Sequence, residues 1–164
     1  MLTFQALLLI IIGHFTAALL VYLNHRFVFH GKLGRTKLLK PLTRYHTLHH
    51  AHAWDDQMTD YIVMPKWARF FFTWVYIGVA WVSIPFAFGL LSFSLYYAYN
   101  HLAIHRKKHR GHSFHHHSLH HRLPSKNFSG MYPFIDKLFS SYSESRPHLW
   151  FYGKHKRFKT RFFV

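Results

Sequence analysis

The stretch FFTWVYIGVAWVSIPFAFGLLSFSLYYAYN, residues 71–100, decides how this chain is built. It carries no charged side chain, and one straight helix from Trp67 to Asn100 would be about 50 Å long, well beyond a hydrocarbon core of about 30 Å. Pro85 lies near its middle, where proline removes a helical hydrogen bond and bends the chain. The sequence therefore predicts a membrane hairpin of two helices over about 67–100 that turns near Ser83–Gly89. Each arm has only about 16 residues, so a re-entrant hairpin stays an open alternative.

A second uncharged stretch opens the chain. Residues 1–24 contain no Lys, Arg, Asp or Glu, and residues 2–23 would span roughly 33 Å as a helix, enough to cross a bilayer. A basic start and a small-residue cleavage site before Arg26 are both missing, so we expect a transmembrane helix rather than a cleaved signal peptide. His14 interrupts this helix, and we interpret it as a polar group that faces neighbouring helices.

The charges of the chain lie between and after these apolar stretches. The 164 residues, enough for a single domain, include 21 Lys and Arg but only 5 acids. Either form of the hairpin returns the chain to the side it left, so the basic segments lie on one face, which the positive-inside tendency places in the cytoplasm with the N-terminus outside. We interpret the basic tracts as contacts to lipid headgroups and do not expect nucleic-acid binding. The predicted fold is an all-α integral membrane protein with a short helical stalk and a cytosolic helical cap, built from residues 25–66 and 101–164.

Histidines recur in the same order in the two halves of this cap. Each half has a spaced pair, HRFVFH or HLAIH, followed by the pattern H-x-x-H-H, in HTLHH or HSLHH. Residues at i, i+3 and i+4 share a helix face, so each H-x-x-H-H directs at least two imidazoles toward one point. His25 and His30 are five residues apart and would be rotated by roughly 140° on an α-helix. One of the two is therefore expected at a helix end or bend, which the glycines of FHGKLG would permit.

These four motifs supply ten imidazoles, too many for one ion and suited to two metals close together. Cysteine is absent and acids are few, so imidazole is the expected ligand, and it suits Zn, Cu, Fe and Ni. An overlapping triple, His112, His115 and His116, fits the same pattern as the last motif, and the tract 112–117 is also typical of loose metal capture. Ordinary solvated roles are expected for four further histidines: His52, His109, His148 and His155.

The motifs resemble those of the membrane fatty acid hydroxylase and sterol desaturase superfamily, over about residues 21–140. Within it, the fatty acid 2-hydroxylases look most similar, because HRFVFH and HTLHH are followed by VMP at Val63–Pro65 and by NFSGMYPFIDKLF at 127–139. Carotenoid hydroxylases carry comparable histidine motifs. The distance from His121 to NFSG favours the later triple as the last motif. The metal ligands that the resemblance implies are then His25, His30, His46, His49, His50, His101, His105, His117, His120 and His121.

The resemblance implies a mechanism and its partners. Two iron ions, replaceable by zinc in purified protein, would activate O2, abstract hydrogen from an unactivated C–H bond of a lipid and return a hydroxyl group. No catalytic residue is expected beyond the metal ligands, although Asp55, Asp56 and Asp136 could orient imidazoles, a structural role being favoured for Asp136. The acyl chain would enter from the membrane, either of the endoplasmic reticulum or of a bacterial cell.

Two departures from the family affect these expectations. No haem-binding electron-donor domain precedes the motifs, so electrons would come from a separate protein. One helix stands before the first motif where relatives often have more, so the substrate channel could be more open or could be completed by a second subunit. The alternative functions that stay open are desaturation on the same scaffold, oxidation of a carotenoid or sterol on that scaffold, and metal binding without catalysis.

Overall fold

The computed structural model describes residues 3–53, 65–106 and 112–144. Within these ranges the chain is helical and has no β-strand, which confirms the predicted all-α class. A π-helical segment (Asn24–Phe29) and a short 3-10 helix (Leu33–Arg35) separate the first two α-helices. The α-helices of the described ranges are α1 (Phe4–Leu23), α2 (Lys40–Ala51), α3 (Lys66–Val82), α4 (Ile84–His105), α5 (His112–Arg122) and α6 (Pro133–Leu138).

Helix α1 and the π-helical segment are continuous over Phe4–Phe29, and the most apolar stretch of 18 residues within them has a mean hydropathy of 2.4. The hydroxyl of Thr3 caps this helix by accepting a hydrogen bond from the amide of Ala6 at 3.2 Å. Among the helices described, it is the one with the length and apolar composition needed to cross a membrane. The predicted transmembrane helix over about 2–23 therefore corresponds to a real helix of suitable composition.

Helices α3 and α4 form a hairpin whose break falls at Ser83, inside the predicted turn. Ser83 has an extended backbone, φ −155° and ψ 103°, and its hydroxyl accepts a hydrogen bond from the amide of Phe86. Pro85 lies in the first turn of α4, where an amide hydrogen would have no partner within the helix. Pro85 therefore begins the second arm. The sequence had indicated instead that it would bend the interior of a helix. The hydroxyls of Tyr76 and Ser94 meet between the arms.

Two glycines allow α1 and α4 to pack closely. A Cβ atom on Gly13 would lie 2.3 Å from the carbonyl oxygen of Phe86, and one on Gly89 would lie 2.2 Å from that of Ile10. Only glycine permits so close an approach of two backbones. Both helices run toward the same end of the bundle. His25 follows the C-terminus of α1, and His101 and His105 lie in the last turns of α4. The core joins them to the segment after α5 and contains Ala17, Ala18, Tyr22, Leu90, Phe93, Phe128 and Ile135.

Candidate metal centre

The structure brings all ten predicted histidines together at one end of the helices, in two adjacent groups. Group one contains His25, His30, His46, His50 and His120, and one ring nitrogen from each lies within 4.8 Å of those of the others. Four histidines of group two, His49, His101, His105 and His117, meet the same criterion. His121 completes group two, because its Nε2 atom lies 3.0 Å from Nε2 of His117.

The π-helical segment is what places His25 and His30 in one group. The amide of His30 donates to the carbonyl of His25 at 3.1 Å, a bond over five residues that characterises a π-helical turn. This wider turn offsets the rotation that an α-helix would impose on a pair five residues apart. His30 lies just after the segment ends, at the bend before Gly31. The expectation of a helix end was therefore met, and the π-helical turn was not foreseen.

Each H-x-x-H-H motif divides its histidines between the two groups. On α2, His46 and His50 join group one, whereas His49 joins group two. On an α-helix the residue at i+4 is rotated by about 40° from residue i and the residue at i+3 by about 60° in the opposite direction. The middle histidine therefore faces about 100° away from the last one, toward the neighbouring group.

Helix α5 divides its histidines in the converse way. His117 and His121 belong to group two, and His120 reaches Nε2 of His50 in group one at 3.1 Å. Each group is thus built from four histidines of one half of the chain and one from the other half. The two halves are joined twice, through His49 and through His120.

Distances inside the groups fit a shared cation better than they fit hydrogen bonds alone. The Nε2 atom of His46 lies 2.9 Å from that of His30, 3.0 Å from that of His50 and 3.2 Å from that of His25. A ring nitrogen has one hydrogen or one lone pair, so it can form only one of these three bonds. Two nitrogens bound to one ion at about 2.1 Å and about 90° apart would lie about 3.0 Å from each other.

Backbone carbonyls orient three of the rings. The Nδ1–H groups of His25, His105 and His120 donate to the carbonyl oxygens of Phe128, Ala53 and Lys126 at 2.5, 2.6 and 2.7 Å. Because a carbonyl only accepts, the hydrogen lies on Nδ1, and Nε2 keeps its lone pair toward the group. Metal-binding histidines in proteins commonly have this arrangement.

Burial also keeps the rings in the neutral form that a metal requires. It lowers the pKa of His30 to about 3 and the pKa values of His105 and His120 to about 4. The pKa of His46 lies well below its usual value because of burial and then because of repulsion from the charged forms of His25 and His50. At neutral pH these imidazoles therefore present lone pairs, so the buried groups could each bind a metal ion.

The histidines that were not assigned to the motifs lie elsewhere. The Nε2 atom of His116 is 2.9 Å from a carboxylate oxygen of Asp136 and 3.0 Å from the hydroxyl of Ser129, so it points away from both groups. His115 is exposed. Of the overlapping triple, these two therefore stand outside the groups, and the side chain of His112 is not described. His14 bonds to the hydroxyls of Ser92 and Tyr132, both at 2.8 Å, as a polar group that contacts neighbouring elements.

Asp136 does not orient any of the ten imidazoles directly, which corrects one of the sequence interpretations for this residue. Its carboxylate accepts from His116, Ser141 and two backbone amides. The other acids considered, Asp55 and Asp56, lie outside the described residues, as do His109, His148 and His155. The carbonyl oxygens of Ala53, Lys126 and Phe128 were missed, since no sequence pattern identifies a backbone acceptor.

Comparison of the chain with models of protein families, with curated proteins and with solved structures finds no match. The buried histidine cluster and the apolar first helix are compatible with a histidine-box family. Membership of the fatty acid hydroxylase superfamily therefore stays a prediction that rests on the motifs.

Proposed function

We propose that this chain is an integral membrane oxidoreductase in which each imidazole group binds one iron ion. The reaction is the O2-dependent hydroxylation of a lipid acyl chain at an unactivated C–H bond. The observation that carries this proposal is the convergence of ten imidazoles as two groups of five at one end of an apolar helical bundle. Metal binding alone would need only one such group, whereas two adjacent redox metals suit reactions that use O2.

The dimensions of the bundle support a position within a membrane. From Ile84 to His105, α4 covers about 32 Å at about 1.5 Å per residue, close to the thickness of a hydrocarbon core. The tip of the α3–α4 hairpin, at the end opposite the histidines, exposes Trp81 (92%), Val82 (86%) and Ile84 (74%). Large apolar side chains exposed in this way favour lipid over water as their surroundings. The histidines would then lie at the cytoplasmic membrane surface.

When bound, the iron pair would supply the activation of O2 and the attack on the C–H bond. The residues of the chain would hold that pair with neutral rings, because the described residues place no carboxylate in either group. Aromatic rings shield the imidazoles: Phe29 stacks on His46 at 4.6 Å between ring centroids, and Tyr97 stacks on His101 at 5.2 Å. Such apolar surroundings exclude water that would quench a reactive oxidant. Electrons would come from a separate donor protein.

His14 argues against transport of metal as the function. Both of its ring nitrogens bond to neighbouring hydroxyls, from Ser92 and Tyr132. A pathway for ions through the membrane would need a series of polar ligands along the helices. Within the described part of α1, the histidine that interrupts the apolar run is instead engaged in packing the helices together.

The test is a lipid assay in membranes that contain the full chain, a reductase system and O2. Mass spectrometry should detect lipids that have gained one oxygen atom, and purified protein should contain two iron ions per chain. Loss of two hydrogens instead would assign desaturation on the same scaffold. Unchanged lipids together with one ion or fewer per chain would contradict the proposal and favour a metal-binding protein without catalysis.

A further inference from the structure

Asp136 is the one carboxylate that is fully buried in the described part of the chain, with 0% of its surface exposed. Its oxygens accept hydrogen bonds from the backbone amides of Phe128 and Ser129, both at 2.8 Å, and from the hydroxyl of Ser141 at 2.7 Å. His116 donates to it at 2.9 Å. Four donors on one buried carboxylate compensate the loss of its hydration.

The pKa of Asp136 is consistent with a permanent carboxylate. Burial would raise that pKa, but the hydrogen bonds from His116, Ser129 and Ser141 outweigh it and bring the value to about 2. The group can therefore only accept hydrogen bonds at neutral pH. The carboxylate consequently holds two backbone amides of one short loop, those of Phe128 and Ser129.

The other side of the same loop contacts group one. The carbonyl of Phe128 accepts from Nδ1–H of His25, and the carbonyl of Lys126 accepts from Nδ1–H of His120. These two carbonyls fix which nitrogen of each ring faces the group. The amide and the carbonyl of Phe128 thus connect Asp136 to His25 through a single residue.

The loop adopts a backbone conformation that needs such support. Asn127, between the two residues whose carbonyls accept from the histidines, has a φ of 59°, in the left-handed region that asparagine tolerates better than most residues. Its amide donates to the carbonyl of Ser141 at 2.9 Å, and its side chain accepts from the amide of Ser143 at 2.8 Å. Ser141 in turn bonds to the hydroxyl of Tyr22 on α1 at 2.9 Å.

The oriented ring of group two has a different partner. His105 donates instead to the carbonyl of Ala53, which lies after α2 in a different part of the chain. A change at Asp136 should therefore weaken group one more than group two.

We infer that Asp136 is a positioning residue for group one, which acts through the loop at residues 126–129 to hold the carbonyls that orient His25 and His120. This inference rests on the proposed metal binding. His116 and Ser141 assist by donating to the carboxylate from two sides. The consequence is that group one binds its ion more tightly than the same five histidines would without the buried carboxylate.

The test is an anaerobic Fe(II) titration of the full chain in detergent, comparing wild type with Asp136→Asn. The substitution keeps the size of the side chain but places an amide among donors, so one ion should bind about 10- to 100-fold more weakly, as for other residues that orient metal ligands. The second ion should lose less affinity than the first. Combining Asp136→Asn with His105→Ala should weaken both ions, because His105 belongs to group two.

Two further variants separate positioning from general loss of structure. Glu144→Gln removes an exposed carboxylate near the same segment and should leave both affinities unchanged. Ser141→Ala removes one donor to Asp136 and should give a smaller weakening of the same single ion, which tests the inference even if Asp136→Asn does not fold. Equal weakening of both ions by Ser141→Ala, or unchanged affinities in both Asp136→Asn and Ser141→Ala, would overturn the inference. A wild-type chain that binds no iron would overturn the proposed function along with it.

Discussion

The two imidazole groups have the same number of histidines but are built on different backbones. Group two takes its spaced pair, His101 and His105, from an α-helix on which they are four positions apart. Group one takes His25 from the π-helical segment and His30, five positions later, from the residue that follows it. Its orientation also depends on two carbonyls of a loop, whereas His105 of group two is oriented by the carbonyl of Ala53. An equivalent set of ligands can thus arise from unequal spacing when the local helix changes its pitch.

Each half of the chain also contributes one histidine to the group that the other half mainly builds. His49 lies on the helix of group one and serves group two, while His120 does the reverse. The two groups therefore cannot separate without breaking contacts in both. Variants that test this exchange also test how far the two groups differ.

Replacement of single histidines should give the largest effect. His49→Ala should remove the same ion as His105→Ala, and His120→Ala should remove the same ion as His30→Ala. Each should lower the affinity of that ion by more than the roughly 10- to 100-fold expected for an orienting residue and abolish lipid oxidation. Iron content and product formation measure both effects.

The control for these variants is His155→Ala, outside the ten, which should keep both ions and full activity. If His49→Ala shared its lost ion with His46→Ala, the exchange between the halves would be wrong.

Acidification should give the next largest effect, on the free energy of unfolding of the metal-free protein. The pKa of His30 is about 3 and those of His105 and His120 are about 4 in the fold, against 6.5 as the usual value. The unfolded chain therefore binds more protons below pH 6.5, so stability is greatest above that pH and falls as the pH decreases toward 4. Chemical denaturation at several pH values from about 8 to about 4.5 measures this loss.

Asp136 does not account for a loss in this range. Its pKa is about 2 in the fold and 3.8 ordinarily, so its contribution disappears only at lower pH. A metal-free protein with constant stability from about pH 8 to about 4.5 would contradict the burial of neutral imidazoles.

The smallest effect is expected from a substitution in the connection between His30 and His46. A Cβ atom on Gly34 would lie 2.0 Å from the carbonyl oxygen of Val28 in the π-helical segment. Gly34→Ala should therefore destabilise the protein by about 1–3 kcal/mol and weaken the ion of group one more than that of group two. Thermal unfolding and iron titration measure the two consequences.

Gly78→Ala is the matched control, since a Cβ atom there has no heavy atom within 4 Å. Alanine in the middle of α3 should be neutral or stabilising by up to about 1 kcal/mol. Equal effects of the two substitutions would show that the contact at Val28 does not maintain the π-helical segment.

Much of this arrangement could be predicted from local patterns. The length of the apolar stretch and Pro85 indicated a helical break near Ser83, and the repeated spacing of histidines indicated that the ten rings would meet. These features depend on helix geometry and on chain length, which a sequence shows directly. The same geometry explains the division of each H-x-x-H-H motif, although the assignment of His49 and His120 to opposite groups needed the packing of α2 against α5.

Other features depend on contacts between distant residues. The hydroxyl of Thr43 donates to the carbonyl of Gly34 at 3.1 Å and lies 3.4 Å from that of Val28, beside the π-helical segment that the sequence did not predict. Asp136 was considered as an orienting acid, but its partner is His116 and its influence passes through backbone groups. Backbone donors and acceptors are present at every residue, so no pattern in the sequence marks those that matter.

The central claim is that two groups of five imidazoles each bind one ion. Anomalous X-ray scattering at the iron absorption edge, from crystals of the iron-loaded full chain, tests it most directly. We expect two peaks, one among the Nε2 atoms of group one and the other among those of group two. A single peak, or iron located away from both groups, would contradict it.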